Sequence, residues 1–512
     1  MRITRRELLK KMGIGAMAFA GGHFAASKFM PAESAFAAEE DKWKQFAGTT
    51  LMFLGENTPP TLAIKAKIAE FTELTGIAIE IVPDSVDVIR TKLAKDLTAQ
   101  KASYVLYYSQ DNPIGAVFFD LAADLRAFES DPTLPQTRDG VGDKAWGYRW
   151  LDVTGRFYGS DKISAYPYDN AINVMMYRRD LFEKYSPQFE QKYGKPLQYT
   201  EATTWKDVSE MCVFFKEAKL PDVKYGIALW GKKGWPAFAD FQRFAYSHGQ
   251  WTEWDFDPYF GSRTPGPCRW GDQQSILTLS RYKELAAVAH PQSFRYDWDG
   301  VNTAYCAGEV AMVVNVGEYA GAVEHPQMSK AAGGRTAYGL CPKGEAAWIV
   351  NNGQAAHGTN YGIGGIAINK YADPRLQKAA YLFVLWSTSH ETQYMVLTET
   401  GGTPTRQSVF DLPEVRQAFQ RETAPMTAIP PVEIEPGVVV NAMPTMPIAL
   451  TYPFSQQGIV PPNVVLGPKI PAFNEYVDIM SSEIQKCLGG MKTPEKACHD
   501  IKKKTDALHG IG

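Results

Sequence analysis

The chain has 512 residues, 45% of them apolar, and a formal charge of −3. That is too long for one hydrophobic core, so two lobes or domains are expected, and the mildly acidic balance excludes nucleic acid and an anionic membrane surface as partners. Six scattered cysteines with no CxxC pair, and eight histidines with none paired at metal spacing, exclude a zinc cluster, and neither metal nor cofactor is expected.

Thr4-Arg5-Arg6-Glu7-Leu8-Leu9-Lys10 matches the twin-arginine export pattern, with Leu8 where Phe is commoner. A weakly apolar run, Gly13 to Phe24, follows, and Ala35-Phe36-Ala37 places small residues where a signal peptidase reads. Together these predict a removable signal peptide over residues 1–37 and a periplasmic mature protein. As a membrane anchor the run is too short and too Gly-rich to cross hydrocarbon, which takes about 20 residues. The segment carries +4, so the mature chain is near −7.

Leu51–Leu54 reads as a buried strand, followed by the loop Gly55–Pro60. Leu62–Thr75 reads as a helix with Ile64, Ile68 and Phe71 on one face and Gly76 as its stop. Ile77, Ile79 and Ile81 alternate as a strand, Val86–Ala99 is helical, and Tyr104–Tyr108 is again strand-like. This alternation predicts an α/β layer around a mostly parallel sheet. Ligands of such sheets sit beyond the carboxyl ends of the strands, where the loops Gly55–Pro60 and Ser109–Gly115 bring Glu56, Asn57, Gln110, Asp111 and Asn112.

The middle of the chain is less regular and rich in Trp and Tyr. Ala165–Ala171 leads into a strand, Ile172–Tyr177; Trp205–Lys219 is helical; Trp230, Trp235, Trp251 and Trp254 fall in the loops beyond. Asp373-Pro374 caps a strong helix. Pro425–Pro471 is Pro-rich and predicts an irregular surface strap, and two helices close the chain. Cys487 and Cys498 flank the turn between those helices, as either a disulfide or two buried thiols. Asp297-Trp298-Asp299-Gly300 has the start of a calcium loop but lacks the later ligands.

Several segments, in order, resemble the extracellular solute-binding proteins of ABC sugar importers, the family of the maltose-binding protein. They are Lys162–Pro167 with Met176–Phe182, Ala307–Met312 with Asn315, Gly364–Lys370 with the helix after it, Gly402–Arg406, and Gly489–Ala497. The resemblance implies a periplasmic-binding-protein-like fold of two α/β lobes joined by a hinge, with a ligand cleft between them. Residues 41–117 and 336–388 would form lobe 1, and 118–335 with 389–512 lobe 2. It further implies a monomer that binds a sugar or polyol, delivers it to the transmembrane subunits of an ABC permease, and is not an enzyme.

A sugar offers hydroxyls to carboxylates and amides, and a C–H face to an aromatic ring. The positions matching the family's cleft carry such groups: Asn57, Tyr108, Asp111, Asp169, Trp230, Trp235, Asn315, Glu318, Tyr319 and Arg406. Glu318 stands where the maltose-binding protein has Trp, which argues for a smaller ligand held by hydrogen bonds. Each residue also has a plainer reading: the rings as core, Asp169 as a cap, Arg406 as partner of a structural carboxylate. Two alternatives remain. The same fold takes a charged small molecule, with Arg406 and Lys232/Lys233 receiving a glycerol phosphate or organic acid, or Asp111, Asp169 and Glu318 a polyamine. An exported cofactor enzyme is the other, against which stands the lack of any G-x-S-x-G, H-E-x-x-H, phosphate-loop or dinucleotide motif.

Overall fold

The computed structural model describes residues 41–511 apart from 138, 251–252, 326, 401, 421–430, 436–437, 442–450 and 452–456. The signal peptide, Trp251 and part of the Pro-rich stretch lie outside the described residues. Elements of the first half are β1 (Thr50–Glu56), α1 (Pro59–Thr75), β2 (Ala78–Asp84), α2 (Val86–Thr98), β3 (Leu106–Gln110), β4 (Ala165–Arg178), α3 (Arg179–Tyr193), α4 (Trp205–Glu217), β5 (Tyr225–Ala228) and α5 (Trp235–Ser247). Then come α6 (Gln273–Val288), α7 (Trp298–Cys306), β6 (Val310–Val316), β7 (Thr336–Gly339), β8 (Thr359–Ile368) and α8 (Pro374–Ser387). β9 (Pro431–Glu435), β10 (Val438–Asn441), β11 (Val464–Val465), α9 (Phe473–Leu488) and α10 (Pro494–Leu508) complete the chain.

Backbone contacts divide it into a first unit, up to Asn170 plus Ile363–Arg416, and a second, Ala171–Gly362 plus the chain from Gln417. The crossings therefore fall at 170/171, 362/363 and 416/417 rather than at 117/118, 335/336 and 388/389. Packing explains the shift. The segment after Ala116 stays on the first unit: Ala123 N–H donates to Ile368 O, Leu125 N–H to Ile163 O, and Phe157 packs on Ala116 and Phe119.

In the first unit the sheet order is β2-β1-β3-β8-β4. β1 runs parallel to β2 (Leu51↔Ile79) and to β3 (Phe53↔Leu106), and β8 returns antiparallel to β3 (Tyr108↔Ile366). Prolines at 59 and 60 start α1, where a missing N–H has no helical partner to lose, and Gly76 ends it at φ 71°, donating back to Thr72. α1 and α8 close the core through Phe53, Phe71, Phe383 and Trp386, with ring centroids 5.5–6.1 Å apart. Each such buried side chain contributes roughly 1.5–3 kcal/mol. β4 begins seven residues before the predicted Ile172, because Tyr166 and Tyr168 are wholly buried and continue the sheet instead of forming a loop.

In the second unit β6 lies antiparallel to β4 (Met175↔Val314) and parallel to β5 (Ile227↔Met312), while β7 pairs with β4 (Met176↔Tyr338). The expected irregular strap holds an antiparallel hairpin, β9–β10, and β11 joins β8 beside Thr359. Thr204 and Asp207 form a reciprocal capping box on α4. Cys487 and Cys498 are free, buried thiols, as are the other four cysteines, so the disulfide reading is corrected to ordinary packing. A different device joins α9 to α10: the buried carboxylate of Glu483 receives Lys486, Lys492 and Lys504.

Candidate functional site

The parallel strands of the first unit end on one edge, and their last residues are polar. Glu56 closes β1, Gln110 closes β3, and Asp111 and Asn112 open the turn Asp111–Ala116. Asp169 and Asn170 on β4 join them: Thr58 Oγ1 donates to Asp169 Oδ2 at 3.2 Å, and the Thr61 hydroxyl meets the Tyr168 hydroxyl at 2.6 Å. Tyr108 stands edge-on to Tyr168, centroids 6.0 Å apart. Burial lifts the Tyr108 phenol well above its usual range, reinforced by the Glu56 and Asp169 carboxylates, so it stays protonated beside Glu56.

Two neighbouring features make room for this basin and hold it. Gly364 lies across from Gln110 in the β3–β8 register, and a Cβ there would sit 2.1 Å from the Tyr108 ring. The backbone around Asp169 is tied from behind: Thr405 Oγ1 donates to Pro167 O at 2.8 Å, and Gln393 Nε2 to Tyr168 O at 3.2 Å. Gln393 in turn accepts the Thr405 N–H at 2.8 Å.

Gln110 Oε1, Asn112 Oδ1 and both side-chain polar atoms of Asn170 have no hydrogen-bond partner among the described residues, although these residues are at most 5% exposed. A buried amide left unmatched costs roughly 1–3 kcal/mol, and these three stand next in sequence to the carboxylates of Asp111 and Asp169. Glu56, Asp111 and Asp169 are buried as well, and Glu56 and Asp169 both lie near the Tyr108 phenol. Buried carboxylates and unmatched amides of this kind suit a molecule with several O–H donors. No group of His, Cys, Asp and Glu able to hold a metal is present among the described residues.

In the second unit Trp230 follows β5, and the β5–β6 register (Ala228↔Val313) brings it level with Asn315. Asn173 lies opposite Val316 on the neighbouring β4. Trp230 packs against Trp298 (5.9 Å, 72°), whose carbonyl accepts from Asn315 Nδ2 at 3.1 Å. Trp230 Nε1 and Asn315 Oδ1 are buried without a partner among the described residues. Glu318, on the turn after β6, is buried as well.

Other expected site residues are engaged elsewhere. Asn57 is exposed, its N–H bonded to Asp84 O; the strand that ends at Glu56 turns Glu56 and Thr58 to the basin instead. Trp235 is no loop ring: it opens α5 and packs on Phe238 and Phe473 at 5.5–5.6 Å. Tyr319 bonds the Asp299 carboxylate. Arg406 is a strut, wholly buried, donating to Gly140 O (2.6 Å) and Thr388 O and lying 4.1 Å over Trp146. Lys232 is held by Asp297 at 2.7 Å, and Asp297 caps α7 rather than opening a calcium loop. Asn170, Gln393 and Arg243 are not among the residues that the sequence singles out. Asn170 adjoins Asp169 and had a visible signal; Gln393 and Arg243 lie in helices where nothing local distinguishes them.

A family model described as bacterial extracellular solute-binding protein matches residues 66–423. No curated protein matches the chain. Among solved structures, a ribitol complex of an ABC transporter solute-binding protein from Agrobacterium radiobacter K84 is 19% identical, with a TM-score of 0.67, covering 90% of this chain and 99% of that one. Maltose-bound MalE3 of T. maritima is 18% identical (TM-score 0.67; 90% and 100%). A D-mannitol-bound ABC transporter solute-binding protein from Agrobacterium vitis S4 is 20% identical (TM-score 0.66; 90% and 98%). The chain thus has the two-lobed α/β fold of these proteins.

Proposed function

The chain belongs to the bacterial extracellular solute-binding family, and from that premise we propose that it is the capture subunit of an ABC importer, taking a sugar or polyol and handing it to membrane permease subunits. One observation carries the ligand class: the amides of Gln110, Asn112 and Asn170 are buried with atoms left unmatched, next in sequence to the buried carboxylates of Asp111 and Asp169. Hydroxyl groups donate to such acceptors, and each bond to a charged acceptor is worth roughly 1.5–3 kcal/mol. A negatively charged solute would meet three carboxylates in the same basin, which favours a neutral polyhydroxyl ligand. Neutral solutes in the ribitol, D-mannitol and maltose complexes of similar fold support this choice.

Binding, release and delivery need no bond-making step, so no residue is given a catalytic role. The twin-arginine signature at Arg5-Arg6 supports export to the periplasm after folding in the cytoplasm. Calorimetric titration of residues 38–512 with ribitol, D-mannitol and maltose tests the basin. At least one should bind, and Asp111→Asn and Asn170→Ala should each weaken it about tenfold or more. Unchanged affinity in both variants would remove the basin from the account.

A further inference from the structure

Arg243 is the unexplained residue of the second unit. It lies on α5, is 1% exposed, and burial lowers its guanidinium to about 10. A buried cation persists only where its surroundings return the lost hydration. Three contacts do so. The guanidinium pairs with Asp240 one turn earlier, reaches Asn173 Oδ1 at 3.4 Å, and lies 4.8 Å from the centre of the Trp230 ring. Asp240 is held in turn by the Tyr282 hydroxyl at 2.5 Å. The chain of contacts therefore runs Tyr282, Asp240, Arg243, Trp230, and Trp298 packs Trp230 from another direction.

This goes further than a stable core requires. Arg243 Nε, Trp230 Nε1 and Asn315 Oδ1 are buried and unmatched among the described residues, so two N–H donors and one acceptor share one end of the β5–β6 pair. A planar cation on an indole face restrains the ring more tightly than an aliphatic neighbour would, because the attraction depends on the cation staying over the ring. We infer that Arg243 is a positioning residue for solute binding: it fixes Trp230 as the aromatic platform of the second unit. This rests on the proposed solute-binding function, and it adds that Arg243 sets the angle of the Trp230 ring.

A double-mutant cycle in the 38–512 protein tests it, with ribitol, D-mannitol and maltose as probes. Arg243→Met combined with Asp240→Asn leaves no orphaned charge and should weaken the bound probe about tenfold or more. Arg243→Lys, which keeps a cation over the ring, should recover to within about threefold of the parent. In a Trp230→Leu background the same Arg243 change should have almost no further effect. Additive losses in the two backgrounds, or parental affinity in the folded Arg243→Met/Asp240→Asn protein, would overturn the inference. Should that protein not fold, the cycle is run with the milder pair Arg243→Gln and Asp240→Asn and decided by the same additivity. If the parent protein binds none of the probes, the function proposed above falls, and this inference with it.

Discussion

Two buried acids of the second unit set a pH dependence of stability. Glu253 accepts from Tyr246 Oη (2.7 Å) and Gln242 Nε2 (2.9 Å), and burial outweighs those bonds, raising it to about 7. Between the unfolded value near 4.5 and the folded value near 7, the folded state holds a proton that the unfolded state has lost. Stability from this group is therefore complete below that window and is lost as pH rises through it, by about 3 kcal/mol in all. Glu324 behaves alike, whereas His248, lowered by burial to about 4, opposes both by stabilising the fold as pH rises from 4 towards 6.5. A difference measurement isolates Glu253. The melting temperature of Glu253→Gln relative to the parent should climb between pH 5 and pH 8; a constant difference would contradict the assignment. At the basin, Gly364→Ala should weaken ligand and lower the melting temperature by several degrees, because the added carbon meets the Tyr108 ring, which is itself packed on Tyr168. Residue chemistry was only partly legible in the sequence. Asp111 follows the end of β3 as its place in the sequence suggests, whereas Asp169 lies inside β4. Arg406 looks like a ligand donor until its two carbonyl partners are seen, and those come from residues 140 and 388, far away in sequence.

At the scale of elements, local signals and tertiary outcome agree wherever a cap or a period marks the chain. Gly76 stops α1, Asp373 caps α8, and Thr493 caps α10. They part where burial overrides composition. Tyr166-Pro167-Tyr168-Asp169-Asn170 has the polarity of a loop, yet becomes the first half of β4 because both tyrosines fill the first unit's core. The α9–α10 pair shows the same limit, since cysteines near the turn suggested a covalent staple while Glu483 supplies an ionic one. Burial opposes ionisation of Glu483, but Lys486, Lys492 and Lys504 prevail and hold it at about 2. Its contribution is present above the unfolded value near 4.5 and disappears as pH falls through about 2. Glu483→Gln should cost about 1–3 kcal/mol near neutral pH, less than a fully enclosed pair because the lysines remain partly in water. Urea unfolding measures it, and an unchanged midpoint would show that the clasp is ornamental.

For the whole molecule, the fold class follows from the strand-helix alternation of residues 51–108 and from motifs spread over the chain. The places where the chain crosses between units did not follow, because they depend on where residues 118–169 pack, and that is decided by contacts such as Phe157 on Ala116 and Phe119. The proposed twin-arginine export is tested on the full-length protein. Replacing Arg5 and Arg6 together by Lys should leave the precursor in the cytoplasm, read by fractionation; normal periplasmic recovery would point to another route. The central claim is that the protein captures a neutral polyhydroxyl solute. The most direct test is a thermal-shift panel on residues 38–512 with sugars and polyols set against phosphorylated polyols, organic acids and amines. A ligand at about 100 times its dissociation constant adds about 2.7 kcal/mol to the folded state. The melting temperature should rise by several degrees with at least one neutral sugar or polyol and not with the charged compounds. A rise confined to anions or amines would contradict it.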